Sequence, residues 1–226
     1  MLARCDVVLV GTQNPENLGG VARLLENFAL QSLTLVAPRA RPEDPRALVV
    51  GRTAQARLTA ARVTATLDEA VSDAGAVVGF SARRGGDRPT TALRTLPSLL
   101  ASRAGRVALV FGPEDHGLTN DDVARCDVVA TIDLPGALPS LNLTQAVAIA
   151  LWELGRAVDA SAPSRVQATR AELDALVGAV ARAGCFRDGD DGERERVHLR
   201  RLLAAAALEP ADVRALHRLV ARGRAT

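Results

Sequence analysis

Residues 107–154 read VALVFGPEDHGLTNDDVARCDVVATIDLPGALPSLNLTQAVAIALWEL. The order is strand, loop, short helix, strand, loop, long helix. Residues 107–111 form an apolar run closed by Gly112, the pattern of a strand covered on both faces. Residues 113–117 are a polar loop, and Thr119 is placed to cap a short helix over 121–125. A second strand pattern covers 128–132. The loop 133–139 holds two prolines and a glycine, and Ser140 then opens a helix with Leu143, Val147, Ala150, Leu151 and Leu154 at helical spacing. Two loops therefore leave the carboxyl ends of two neighbouring strands, where open α/β sheets bind small ligands.

The same alternation runs through the preceding residues. Strands are predicted at 6–10, 33–36, 63–65 and 75–79. Between them, Leu18, Val21, Ala22, Leu25 and Phe28 give a helix over 18–29. Pro42 and Pro45 mark a turn before a short helix, Thr66-Leu67-Asp68-Glu69 is a capping box, and 96–102 is helical. Residues 84–91, with Gly85, Gly86 and Pro89, read as a mobile loop. Strands alternating with helices predict an α/β protein with a parallel sheet and helices on both faces.

The strand signal stops at residues 160–168, which read as a linker. Beyond it Thr169-Arg170-Ala171-Glu172 is a second capping box, and Leu173, Leu176, Val177 and Val180 share one helical face. A charged turn at 187–193, a helix at 197–208 and a third helix opened by Pro210 complete the chain. The predicted division is a domain over 1–159, a linker over 160–168 and a small helical extension over 169–226.

Composition narrows the chemistry. The chain has no lysine, which excludes a Schiff base. All 28 basic residues are arginine, a side chain suited to phosphate. Residues 161–226 hold 12 Arg against 9 acids, while residues 1–160 hold 16 against 17, so the basic excess lies in the tail. With no Tyr, one Trp and four Phe, base stacking is scarce and phosphate contact dominates any nucleic-acid binding. Cys5, Cys126 and Cys185 are far apart, as are His116, His198 and His217, so no metal is expected. The scattered thiols point to a cytoplasmic protein. No run of about 18 uncharged apolar residues predicts a membrane span, and MLARCDVVLVG lacks the cleavage site of a signal peptide. The first loop, GTQNPENLGG, lacks the G-x-G-x-x-G of a nicotinamide site.

Three stretches carry a family resemblance over roughly residues 5–155: Asn14 to Arg23 (NPENLGGVAR), FGPEDHGLTN from Phe111, and IDLPGALPSLNLTQAV from Ile132. In order and spacing they resemble the three motifs of the SpoU (TrmH-like) branch of the SPOUT methyltransferases. Within that branch the TrmJ-type tRNA ribose 2′-O-methyltransferases are the most similar. The resemblance implies a SPOUT domain with a trefoil knot, which nothing in the periodicity reveals, and a homodimer. It implies S-adenosylmethionine as methyl donor, held mainly by backbone at Phe80, Ser81, Ala82, Gly112, Ile132, Ser140, Leu141 and Asn142. The implied substrate is tRNA, at anticodon-loop nucleotide 32; ribosomal RNA, or RNA binding with activity lost, are the alternatives.

The implied catalytic set is Asn14, Asn17, Arg23 and Glu114. Asn17 is placed to cap a helix starting at Leu18, with Gly19 and Gly20 letting RNA backbone approach. Guanidinium is a poor base, so Arg23 is read as a cation that holds phosphate and stabilises developing alkoxide. Glu114 would orient Arg23 or the nucleotide. Ser140 would cap the last helix, and Asn142 would hold both cofactor and loop. Related sequences commonly have Arg where this chain has Pro113. His116 reads as an exposed loop residue. Arg194, Arg200, Arg201, Arg218 and Arg222 of the tail are candidate phosphate contacts.

Overall fold

A computed structural model describes residues 2–83, 90–136, 140–156 and 167–222. The expected linker at 160–168 and loop at 84–91 fall largely outside the described residues, as do residues 137–139. Seven strands form one sheet: β1 (Cys5–Val10), β2 (Leu33–Val36), β3 (Arg62–Thr64), β4 (Ala74–Phe80), β5 (Thr90–Ala92), β6 (Arg106–Phe111) and β7 (Val128–Thr131). Their order is β3-β2-β1-β6-β4-β7-β5, and every pair is parallel. Parallel strands need crossovers, and the helices supply them: α1 (Pro15–Asn27), α2 (Pro45–Gly51), α3 (Gln55–Thr59), α4 (Leu67–Val71), α5 (Leu96–Ala101), α6 (Asn120–Ala124) and α7 (Leu143–Arg156).

Two apolar clusters flank the sheet. One side takes Val7, Leu9, Leu35, Val78, Leu109 and Phe111 together with Leu18, Val21 and Leu25 of α1 and Val147, Leu151 and Leu154 of α7. The other takes Val8, Val36, Val77, Val110 and Val129 with Leu67 and Val71 of α4 and Val123 of α6. Alternate strand residues thus bury against opposite layers, which is why the strands read as apolar runs. Strand β5 is a correction, because its Thr90-Thr91-Ala92 runs into what reads as a polar loop.

Among the described residues three helices follow α7: α8 (Arg170–Arg182), α9 (Asp190–Ala205) and α10 (Pro210–Arg222). Leu173, Leu176, Ala204 and Val213 form a small apolar cluster among them. Helix α9 starts earlier than the predicted 197, because Asp190, Asp191 and Glu193 suit the positive end of a helix.

These helices are tied to the sheet by a buried ion pair. Arg170 donates to Asp127, and their side chains are 2% and 5% exposed. The other Asp127 oxygen accepts from the backbone N–H of Val77 at 2.8 Å. Arg170 also reaches Asp174, at 3.3 Å. Asp127 immediately precedes β7, so this attachment sits at the amino end of the strands.

Candidate active site

The carboxyl ends of β4, β6 and β7 open into a cavity of about 490 Å³. Phe80 and Phe111 end adjacent strands and stack at its floor, with ring centres 4.4 Å apart. Of the eight positions expected to hold a cofactor, Phe80, Ser81, Ala82, Gly112, Ile132, Ser140 and Leu141 line the cavity. Arg83, Glu114, Asp115 and His116 form its polar rim. A cavity of this size, apolar with a few convergent polar groups, suits a nucleoside-sized ligand.

Gly112 shapes the loop after β6. A Cβ there would lie 2.2 Å from the Leu118 backbone nitrogen. Only glycine lets the loop fold back onto the strand end. Gly117, at φ +64°, closes that loop by donating to the Pro113 carbonyl at 2.8 Å.

Beside the cavity the three motifs meet in one hydrogen-bonded cluster. Asn17 is buried, and its Nδ2 donates to Glu114 Oε1 at 2.7 Å. Asn142 Nδ2 donates to Asn17 Oδ1 at 3.0 Å, and the Thr144 hydroxyl approaches the same oxygen at 3.3 Å. Glu114 also accepts from the backbone N–H groups of Gln13 and Asn14, at 3.0 and 3.1 Å. Burial works against charge on Glu114, but these donors outweigh it and hold the carboxyl below its ordinary range. Glu114 is thus an ionised anchor for two loops, and a weak base. Thr144 is not legible as a site residue from the chain alone, because its partner lies 127 residues away.

Several expected roles move. Asn14, not Asn17, caps α1, its Oδ1 accepting from the Glu16 N–H at 3.0 Å. Asn142, not Ser140, caps α7: its Oδ1 accepts from the Thr144 N–H at 2.9 Å, and Gln145 returns a bond to the Asn142 N–H at 3.2 Å. Asn142 is absent from the cavity wall and instead fixes the start of α7, which carries wall residues Leu143 and Ala146. Gly19 and Gly20 are packing residues. A Cβ on Gly19 would meet the Ala47 carbonyl of α2 at 2.3 Å, and one on Gly20 would meet Thr144 at 2.9 Å. They let α2 and the start of α7 approach α1 closely.

Glu114 does not hold Arg23. Arg23 is exposed, with no hydrogen bond or ion pair among the described residues. It lies six residues beyond Asn17 on α1, about 9 Å along the axis and about 120° around it. Cys5 and Cys126 are buried thiols, pushed up by burial to about 11 and about 12, so neither is a nucleophile at neutral pH. Cys185 is exposed.

Asn142→Ala removes a helix cap and the shorter of the two side-chain hydrogen bonds to the buried Asn17 Oδ1, the Thr144 hydroxyl keeping the other. The expected loss of unfolding free energy is about 1–3 kcal/mol. Urea denaturation would show it, and an unchanged midpoint would mean that the cluster contributes nothing to the fold.

A parallel sheet with a nucleoside-sized cavity at its strand ends, bordered by an Asn–Glu–Asn cluster drawn from three separate segments, marks this as an α/β enzyme of the nucleotide-ligand class. The chain belongs to the SpoU rRNA Methylase family, whose model matches residues 4–152. Within that family its likeness is to the TrmJ proteins. It is 41% identical over 163 residues to the tRNA (cytidine/uridine/adenosine-2′-O-)-methyltransferase TrmJ of Pseudomonas aeruginosa, covering 68% of this chain and 61% of that protein. It is 32% identical over 158 residues to the tRNA (cytidine-2′-O-)-methyltransferase TrmJ of Methanocaldococcus jannaschii, covering 68% of each. The match thus spans less than two thirds of the Pseudomonas protein. The crystal structure of TrmJ from Z. mobilis ZM4 superposes with a TM-score of 0.82 at 31% identity, covering 96% of this chain and 97% of that one.

Proposed function

We propose that the protein transfers a methyl group from S-adenosylmethionine to a ribose 2′-hydroxyl of tRNA, at anticodon-loop nucleotide 32, as a cytoplasmic homodimer. The observation that carries this reading is the Asn17–Glu114–Asn142 cluster, which joins all three family motifs at the mouth of the cavity. The cavity fits the donor: apolar walls from Ala130, Ile132, Leu134 and Leu141 suit an adenosyl group, and the rim carries both signs of charge, as an amino-acid tail requires. When bound, the donor supplies an electrophilic methyl group. The chain's own part is to orient and to stabilise. Glu114 and Asn17 lock the two loops in place, and Arg23 offers a cation to phosphate and to charge developing on the ribose oxygen. The trefoil knot of the family belongs to this reading. Its support is α7, which leaves the β7 side of the sheet and packs against α1 beyond β6 and β4.

The homodimer reading rests on the position of Arg23. It lies six residues beyond Asn17 on α1 and makes no hydrogen bond or ion pair with its own chain's Glu114 cluster among the described residues, so the site it serves would lie on a second copy. Trp152 and Ile149 of the neighbouring α7 leave apolar surface exposed, as an interface would need. Light scattering at micromolar concentration is expected to return twice the chain mass; a monomer would end this part of the reading. Among the described residues no helix is long and apolar enough to cross a membrane. Mass-spectrometric nucleoside mapping of tRNA and ribosomal RNA from a strain lacking the protein separates the two substrates: a 2′-O-methyl mark lost from ribosomal RNA alone would refute the tRNA assignment.

In the tail, Arg200 is buried and faces Asp174, and Arg194 faces Asp191. Arg182, Arg201, Arg214, Arg218 and Arg222 have no ion pair among the described residues, and of these Arg214, Arg218 and Arg222 lie exposed together on α10. Four-residue spacing sets them about 6 Å apart along one face. Deleting the tail would strand the Asp127 carboxylate, so substitution is the cleaner test. Arg214→Gln/Arg218→Gln/Arg222→Gln is expected to weaken tRNA binding and to flatten its log–log salt slope by about 2–3. Equal affinity and slope would place recognition on the sheet domain.

A further inference from the structure

The rim of the cavity holds one cation that the motif cluster leaves unused. Arg83 follows Phe80-Ser81-Ala82 from the end of β4 and lines the cavity together with Glu114 and Asp115. One nitrogen, Nη2, is spent on the loop after β6, donating to the backbone carbonyls of His116 and, at 3.0 Å, Leu118. Those two bonds hold the guanidinium on the rim. Its Nε and Nη1 have no hydrogen bond, and no carboxylate pairs with it, among the described residues. The loop it clasps offers no cation of its own before His116, since residues 112–115 are Gly-Pro-Glu-Asp. An anchored guanidinium with free N–H groups facing a cavity is built to receive a carboxylate or a phosphate.

The neighbours decide between these. Glu114 and Asp115 share the rim with Arg83, and both are held below their ordinary range as ionised groups. Two carboxylates beside one arginine repel an RNA phosphate, yet they suit a ligand that brings an ammonium and a carboxylate together. We propose that Arg83 binds the carboxylate of the donor's methionyl tail and so selects ligands that carry it. This rests on reading the cavity as the S-adenosylmethionine site. The bland alternative is that Arg83 only clasps the loop.

Calorimetric titration with S-adenosylhomocysteine and with its decarboxylated analogue, which keeps the ammonium, separates the two. The wild-type protein is expected to bind the analogue about 10–100-fold more weakly, the scale of one charge-assisted hydrogen-bonded contact. Arg83→Gln should lose a similar factor for S-adenosylhomocysteine and almost nothing for the analogue, whose retained affinity also shows that the variant is folded. Equal losses for both ligands, or no loss for either, would overturn the assignment and leave Arg83 a loop clasp or a bystander. A wild-type protein that binds neither ligand would overturn the cofactor reading itself, and this assignment with it.

Discussion

Arg23→Ala is expected to slow methyl transfer by about 10²-fold or more while leaving calorimetric affinity for S-adenosylmethionine nearly unchanged, the effect of losing one preorganised charge. The reasoning is positional. Arg23 is absent from the cavity wall and makes no ion pair or hydrogen bond among the described residues, so the fold does not need it. A solvent-facing arginine on a helix surface normally contributes little to stability, and the variant should unfold at the wild-type midpoint. If Arg23 completes the partner's site, mixing Arg23→Ala subunits with Asn142→Ala subunits should restore part of the activity, because one site in each mixed dimer is then whole. Near-normal turnover by Arg23→Ala would remove it from the mechanism. Equal loss of turnover and of cofactor affinity would move it into the cofactor site instead.

Arg170→Met is expected to have the largest effect on stability, about 3–5 kcal/mol. The substitution keeps an unbranched side chain of similar reach, so little packing is lost. What remains is a carboxylate at Asp127 that is 5% exposed, with its only side-chain hydrogen-bond partner among the described residues gone. Burial already pushes Asp127 upward, with Arg170 the strongest influence pulling it back. Removing Arg170 therefore favours protonation of Asp127 or local opening of the contact. Because Asp127 also receives the Val77 N–H and leads directly into β7, the loss should spread to the strand whose end carries Ala130 and Ile132 into the cavity. Urea denaturation followed by circular dichroism measures this. A loss below about 1 kcal/mol would show that the extension is held by its apolar contacts and that the ion pair is incidental.

The sheet was legible because its central strands are covered on both faces. VVLV at 7–10 and VALVF at 107–111 are apolar without alternation, and no other element suits runs so short and so β-branched. Strand β5 escaped because three residues at a sheet edge, two of them threonine, carry no periodic signal. The caps of α1 and α7 have local explanations. Pro15 at the first helical position pointed to Asn14 as the cap, and Asn142 with Gln145 three residues on is a capping pair in its own right.

The glycine pair of the first motif was harder. A sequence shows that a glycine is required, not whether helix or ligand makes the close approach. The motif residues could be picked out, but their partners could not. Asn17 meets Glu114 across 97 residues and Asn142 across 125. No spacing rule foretells such pairs, nor the docking of Arg170 on Asp127. Arg83 was likewise unreadable, because a lone arginine after a strand acquires meaning only when the loop it clasps is seen beside it.

Methylation of a tRNA ribose hydroxyl, as proposed for this chain, is read by incubating the purified protein with tRNA and S-adenosylmethionine labelled in its methyl group, then digesting the RNA and locating the label by mass spectrometry. Label is expected on a ribose, in a dinucleotide that resists alkaline hydrolysis because its 2′-oxygen is methylated, with loss of that product in Arg23→Ala. Label on a base, or no transfer to tRNA by a folded protein that binds the donor, would contradict it.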